Sequence, residues 1–322
     1  MPCNYLSMEY LIKKKVMNLK RFYYKFCCVM QWNIGFAKYN IADIIREKRN
    51  DLKFKWFPIE ENGKSYADPF IFRADDRKLH VIYEEFSMVD LKKYGKLALS
   101  ILREDLTICC SKEILDSKTH SSYPFILSED NKTYVIPESS QRGKVSCYQF
   151  DFVNKCLINE RIIINNIPLL DSTILKYNNK FWLFATLADH KFDHSKLYIY
   201  YADSLFGEYK PHIKNPVKHG LNGTRPAGNI ITVDNEMYRP AQNCKKYYGE
   251  SITINKIITL NENEFVEEDY LQITADKKSS YSEGIHTINF LDDIIVVDGI
   301  KMIFMPLKKL KMFFQKKINS KM

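Results

Sequence analysis

What the sequence lacks narrows the field first. Eleven glycines and eleven prolines in 322 residues are too few for a low-complexity or fibrous chain. No apolar run approaches the roughly 18 residues of a membrane-spanning helix. The early apolar stretch from Phe26 to Trp32 is short and has no small-residue cleavage site, so no signal peptide is expected. The eight cysteines form no CxxC pair and show no metal-ligand spacing. Reduced thiols and a cytoplasmic setting are the economical reading. There is no glycine-rich phosphate loop, no GxSxG elbow and no DxD triplet. The missing DxD argues against the usual metal-dependent sugar-nucleotide transferase. His190 and His194 stand four apart in a polar loop, but zinc would want a third ligand. No metal site and no cofactor is therefore assigned.

Acidic residues are missing from two stretches. Residues 13–26 carry six Lys/Arg and no acid, and residues 306–322 carry six lysines and no acid. The whole chain has 48 basic and 39 acidic residues, so without those twelve cations the body is mildly acidic. A nucleic-acid-binding core is excluded on that distribution, and ends that touch an anionic surface are favoured. Apolar residues alternate with lysine at helical spacing in both stretches. Each reads either as an amphipathic helix on an anionic membrane face or as a solvated helix. Residues 1–30 and 306–322 are thus expected to be short basic helical extensions, peripheral to a body spanning 31–305.

Within the body the pattern is almost entirely β. Leu170 to Thr186 reads as two apolar runs around the polar turn Asn178-Asn179-Lys180, which predicts a hairpin. The same hairpin recurs at Asp68 to Tyr83, Tyr123 to Ile136, Arg225 to Tyr238 and Ile285 to Val297. Its anchors Asp68, Tyr123, Asp171, Arg225 and Ile285 lie 55, 48, 54 and 60 residues apart. Further strands follow each hairpin, as at Leu97 to Leu102, Lys144 to Phe150, Leu197 to Tyr201 and Ser251 to Ile257. A period near 50 with about four strands per unit is the signature of propeller blades. The expectation is an all-β, five-bladed β-propeller. The early strand at Trp32 to Ala37 is placed to complete the last blade, and Ile41 to Lys48 reads as a short helix.

In such a fold the inner strand of each blade lines the axis, so residues opening those strands converge. The converging set is Asp68, Ser122, Tyr123, Asp171, Arg225 and His286. Strand ends add Glu84, Glu85, Glu138, Arg239 and Gln242. Carboxylates, cations and aromatics meeting there suit a sugar or sugar-phosphate ligand. Any one of these residues alone reads better as a turn cap, a core aromatic or a neutralising cation; five polar openings at one repeat position carry the reading for the group.

Several motifs share one order: Ala67-Asp68-Pro69-Phe70, Tyr83-Glu84-Glu85-Phe86, His120-Ser121-Ser122-Tyr123-Pro124-Phe125, Ile136-Pro137-Glu138-Ser139-Ser140, Arg225-Pro226-Ala227-Gly228, Tyr238-Arg239-Pro240-Ala241-Gln242-Asn243-Cys244 and His286-Thr287-Ile288-Asn289. Across residues 31–300 the chain resembles the N-terminal domain of plant glucosamine inositolphosphorylceramide transferase and its bacterial relatives. That resemblance implies a five-bladed propeller similar to the arabinanase-like glycosidases. It also implies a setting in surface-polysaccharide or glycolipid assembly. Those glycosidases open successive blades with an Asp base, a second Asp and a Glu acid. Asp68 matches the base and Asp171 the second Asp, but no opening position holds Glu. Glu85 or Glu138 is left to supply an acid.

Three functions follow as expectations. The first is a glycosyltransferase-like protein using a phosphate-activated donor at the inner face of a membrane. Its catalytic candidates are Asp68, Asp171, Glu85 and Glu138, with Arg225 and Arg239 holding phosphate through bidentate contacts. His120, Tyr123, Gln242 and His286 complete the substrate-binding set. The second is an arabinanase-like glycoside hydrolase. The third is a carbohydrate-binding propeller without catalysis.

Overall fold

The computed structural model describes residues 23–24, 26–58, 63–74, 78–88, 94–188 and 195–311. The His190/His194 loop and most of both basic extensions lie outside them. Within those extensions, 306–311 is helical, as are residues 23–24 and 26–27.

The first strands of the chain belong to its last blade. Strand β1 (Cys28–Lys38) and the two-residue β2 (Lys55–Trp56) flank helix α1 (Ile41–Glu47). Asn40 caps the helix by accepting from the Ala42 amide at 2.8 Å. Its buried face, Ile41, Ile44 and Ile45, packs onto the fourth blade beside Ala227, Ile231 and Tyr238. Blade one then comprises β3 (Lys64–Arg73), β4 (Leu79–Ser87), β5 (Lys96–Leu102) and β6 (Ile108–Leu115). Blade two comprises β7 (Ser122–Glu129), β8 (Lys132–Glu138), β9 (Lys144–Asp151) and β10 (Cys156–Asn165). Blade three is β11 (Leu169–Tyr177), β12 (Lys180–Leu187) and β13 (Lys196–Ala202), edged by β14 (Lys210–Pro211) and β15 (Lys218–His219). Blade four is β16 (Asn222–Pro226), β17 (Ile231–Val233), β18 (Glu236–Asn243), β19 (Ser251–Leu260) and β20 (Phe265–Thr274). Blade five joins β21 (Ile288–Leu291) and β22 (Ile294–Phe304) to β1 and β2, in the order β2-β1-β22-β21. The protein is a five-bladed β-propeller.

Ring closure rests on β1 and β22. They pair antiparallel without a break from Cys28↔Phe304 to Lys38↔Ile294. Strand residues buried on both faces explain why this segment reads as an apolar run rather than an alternating one. The inner hairpins close through tight turns whose two central residues are left-handed: Asp130-Asn131, Asn178-Asn179 and Asp234-Asn235. Asn and Asp tolerate that conformation, which matches the twist of the flanking strands.

Two inner strands differ from the sequence expectation. In blade four the strand breaks between Pro226 and Ile231. Gly228 has φ +140°, and a Cβ there would stand 1.9 Å from the Ile288 carbonyl oxygen, so backbone from blade five occupies the space. In blade five the ladder starts only at Ile288, because the His286 and Thr287 amides donate to the Asp298 carboxylate instead, each at 3.0 Å.

The interior lies between blades. Phe70 of blade one meets Tyr123 and Phe125 of blade two edge-on at 4.9 and 5.9 Å. Outer strands are far less buried: Ile162 on β10 is exposed, while Ile34 on β1 is fully buried. Ile34→Ala should cost about 2–5 kcal/mol in urea unfolding, and Ile162→Ala under about 1 kcal/mol. Equal losses would contradict the assignment of β1 to the ring closure.

Candidate functional site

Three successive inner strands carry the same device. Their ladders shift register between Ala67 and Phe70, between Ser122 and Phe125, and between Leu170 and Thr173. Within each bulge one residue is left-handed: Asp68 (φ 52°), Tyr123 (φ 40°) and Asp171 (φ 53°). A bulge re-aims the side chain that a regular strand would point between blades. The left-handed conformation is uncommon for residues other than glycine, and inside a strand rather than in a turn it marks a constrained position.

These side chains join into a ring around the axis. Asp68 Oδ1 accepts from the Thr287 hydroxyl of blade five at 2.7 Å, and its Oδ2 accepts from the Tyr123 amide of blade two at 3.2 Å. The Tyr123 hydroxyl bonds Thr173 of blade three at 2.8 Å and accepts from the Gly228 amide of blade four at 2.7 Å. Arg225 of blade four clasps Asp171 of blade three with Nε and Nη2, the latter at 3.1 Å. Gln242 donates to the same carboxylate at 3.0 Å. The Ile288 amide donates to the Ala227 carbonyl at 2.8 Å, joining blade five to four. The Asp68 amide donates to Asp298 Oδ2 at 2.9 Å, which closes the circle.

His286 sits inside this ring. Its Nδ1 is 2.5 Å from Asp298 Oδ2 and its Nε2 3.6 Å from Asp68 Oδ1. Trp32 stacks on the imidazole at 4.0 Å and Tyr248 meets it edge-on at 5.2 Å. Burial opposes the His286 charge, but Asp298 and Asp68 outweigh it and raise the pKa above the ordinary histidine value. Ligand atoms of Asp68, His286 and Asp298 lie within 4.8 Å of one another. Each already holds hydrogen bonds to the others or to backbone amides, which accounts for their closeness without a cation.

Burial raises two of the axial carboxyls. Burial pushes Asp68 up, the His286 charge pulls it down and Asp171 pushes it up again, leaving it at about 6. Burial, with Asp68 and Glu138 nearby, drives Glu84 well above the usual glutamate range. Burial works against the Arg225 charge, and Asp171 more than restores it. Among the described residues Arg225 Nη1 donates no hydrogen bond, so one edge of the guanidinium is uncommitted.

His120 is the most open member, with its side chain 35% exposed. It stands between Glu84, 3.6 Å from Nδ1, and Glu138, 3.8 Å from Nε2. The Gly95 amide donates to Nδ1 at 3.2 Å, which assigns the neutral ring's proton to Nε2. Glu138 is further held by Ser122 Oγ at 3.0 Å and the Ser140 amide at 2.6 Å. Gly95 is required here: a Cβ would fall 1.9 Å from Glu84 Oε1 and 2.9 Å from His120.

Of the residues expected from sequence, Asp68, His120, Tyr123, Glu138, Asp171, Arg225, Gln242 and His286 come together. Two do not. Glu85 points to the opposite side of β4 from Glu84 and pairs at 3.0 Å with Lys64. Strand alternation explains this: Glu84 shares a face with Ile82, which packs toward blade two, whereas Glu85 shares one with Tyr83, which packs toward blade five. Arg239 lies between blades three and four, bonded to Glu267 by Nε at 2.8 Å and Nη2 at 2.6 Å. Its guanidinium faces Phe184, and Lys218 Nζ joins Glu267 at 2.7 Å. Asp171, clasped by the Arg225 guanidinium in a buried ion pair and bonded by Gln242 as well, is ill-placed to act as a base.

Sequence reasoning names Glu84 with Glu85 at a strand end but gives it no role, and Asp298, Trp32, Thr287 and Tyr248 are the members that it leaves out. The fold separates Glu84 from Glu85, because the partners of Glu84, His120 and Glu138, belong to blade two. Asp298 sits in a wholly apolar strand, Ile294 to Ile300, where a lone buried acid is the signal.

The comparisons with known proteins agree with this architecture. Proteins named glucosamine inositolphosphorylceramide transferase 1 from Arabidopsis thaliana and Oryza sativa subsp. japonica are 32% and 30% identical over 211 and 205 residues. Those matches cover 62% of this chain and 26% and 27% of theirs, so the chain corresponds to a minor part of those proteins. A β-1,3-galactosidase of glycoside hydrolase family 43, solved with galactodeoxynojirimycin, superposes with a TM-score of 0.52 at 12% identity. It covers 68% of this chain and 83% of that one, a likeness of fold alone. A family model for the N-terminal region of glucosamine inositolphosphorylceramide transferase 1 matches residues 60–294, from the approach to β3 to the start of β22. The chain belongs to that N-terminal family.

Proposed function

We propose that the axial site performs glycosyl transfer from a phosphate-activated sugar in surface-polysaccharide or glycolipid assembly. The observation that carries the reading is the convergence at one axis of Asp68, raised to about 6, and Glu84, raised well above the ordinary glutamate value by burial, with Arg225 and His120. Carboxyls in different surroundings divide into a base and an acid, and Asp68 takes the base's part here. Ionised Asp68 takes the proton of the acceptor hydroxyl as its oxygen bonds the anomeric carbon. The bond from that carbon to the donor phosphate breaks, and the phosphate leaves with the electron pair. The free edge of Arg225 and the Nε2 proton of His120 stabilise the charge that develops there. Protonated Glu84 serves as a hydrogen-bond donor to the sugar or the leaving oxygen. The names of the plant relatives support transfer to a lipid-linked acceptor.

Hydrolysis is the second reading, favoured by the same pair, since water in place of the acceptor needs one carboxylate and one carboxylic acid. One assay separates the readings: radiolabelled activated sugars with membrane acceptors, scored for transferred product and for free sugar. Product with little free sugar supports transfer, and free sugar alone supports hydrolysis. Binding of sugar without either product would leave a recognition module.

Asp68→Asn should lower turnover by about 10²- to 10⁴-fold while leaving sugar affinity within a few-fold, measured by single-turnover kinetics and calorimetry. Wild-type turnover in that variant would remove Asp68 from the chemistry. The pH profile should rise through about 6 as Asp68 ionises and fall at higher pH where Glu84 loses its proton. Glu84→Gln should abolish that fall and keep the acidic rise.

A further inference from the structure

We propose that the face carrying the axial site lies against an anionic lipid bilayer, held by an apolar, lysine-rich patch where the chain enters β1 and leaves β22. This goes beyond the proposed reaction and stands or falls separately from it.

The topology fixes the side. Inner strands run away from the site, so the second strand of each blade returns to it. Strand β22 is the second strand of blade five. Phe304 at its end and Cys28 opposite it therefore lie on the site face, where the Met305 amide donates to the Cys27 carbonyl at 2.8 Å. Contacts tie this junction to the rim. The Tyr24 hydroxyl donates to Glu283 Oε1 at 2.8 Å, and the Tyr247 hydroxyl donates to the Glu283 carbonyl at 2.7 Å. Tyr248, the next residue, meets His286 edge-on.

Exposed apolar side chains gather at this junction. Tyr23, Phe26, Phe304, Leu307 and Leu310 are five of the twelve exposed large hydrophobics among the described residues. Leu307 is 78% and Phe304 60% exposed, and Tyr23 stacks on Phe304 at 5.8 Å. Lys308, Lys309 and Lys311 interleave with the leucines. Lys308 Nζ is buried without a hydrogen-bond partner among the described residues, and that burial lowers its pKa.

Charge selects the occupant. The flanking stretches 13–26 and 306–322 hold twelve Lys/Arg and no acid, while the remaining residues carry 39 acids against 36 bases. An anionic surface attracts the patch and repels the body, which orients the molecule as well as binding it. Aromatic and leucine side chains between lysines are the composition that seats at a headgroup boundary. The site mouth at His120 then opens toward the bilayer, so a lipid-linked substrate reaches it without leaving the membrane.

The test uses the full chain with phosphatidylcholine vesicles, with and without phosphatidylserine. Co-sedimentation should require phosphatidylserine and weaken as salt rises. Neutralising Lys308, Lys309 and Lys311 to Gln should lower partition about fivefold per residue, and Leu307→Asp with Leu310→Asp should also release the protein. Lys132→Glu, in the β7–β8 turn on the opposite face, should bind as wild type does. Unchanged urea unfolding in each variant excludes misfolding as the cause. Hydrogen exchange on vesicles should slow at 244–250 and 304–311 and stay unchanged at 130–131 and 178–179. Equal binding to neutral vesicles, no binding, or protection on the opposite face would overturn the proposal. So would protection of the patch that rises with protein concentration without lipid, which would mark it as a contact between copies.

Discussion

The structure depends on one closed circuit of hydrogen bonds around the propeller axis. Asp68 bonds blades five and two, Tyr123 bonds three and four, and Asp298 returns the circuit to blade one. Propeller blades otherwise meet through apolar side chains, which are non-directional and set no register between neighbours. The circuit supplies that register. It also confines Asp68, Glu84, Glu138, Asp171 and Asp298 near one axis, which is costly unless each finds a partner. The partners are mostly local: backbone amides for Asp298 and Glu138, and the guanidinium of Arg225 for Asp171.

That division of partners separates framework from chemistry. Asp171 and Arg239 are consumed by buried ion pairs, in which removal of one member strands a charge and costs several kcal/mol. Asp68, Glu84, the free edge of Arg225 and His120 keep capacity toward a ligand. The low-dielectric surroundings that force Asp171 to pair also lift Asp68 and Glu84 above ordinary carboxylates. Strength of closure and tuning of the acid–base pair thus have one physical source.

Much of this was legible in the sequence. Five Asn- or Asp-turned hairpins at intervals of 48 to 60 residues specified the blades, and the strand at Trp32 to Ala37 pairs with β22 as its apolar pattern demanded. The strand-opening residues Asp68, Tyr123 and Asp171 converge as the repeat position required. What was not legible depended on facing. In β4 both faces are buried, so the Tyr83-Glu84-Glu85-Phe86 run shows no alternation, and Glu85 was indistinguishable from Glu84. Arg239 lies on a strand that does reach the site through Gln242, yet its partner Glu267 comes from an outer strand that only the folded blade brings near. The basic extensions gave composition without direction, and only strand order shows on which face they leave.

The most direct test of this account is the titration of the Asp68 carboxyl by carbon-13 NMR, assigned by comparison with Asp68→Asn. A midpoint near 6 would match a buried carboxylate balanced between His286 and Asp171. A midpoint near the ordinary aspartate value of about 4 would mean that the axis is hydrated, and the acid–base division between Asp68 and Glu84 would fail with it.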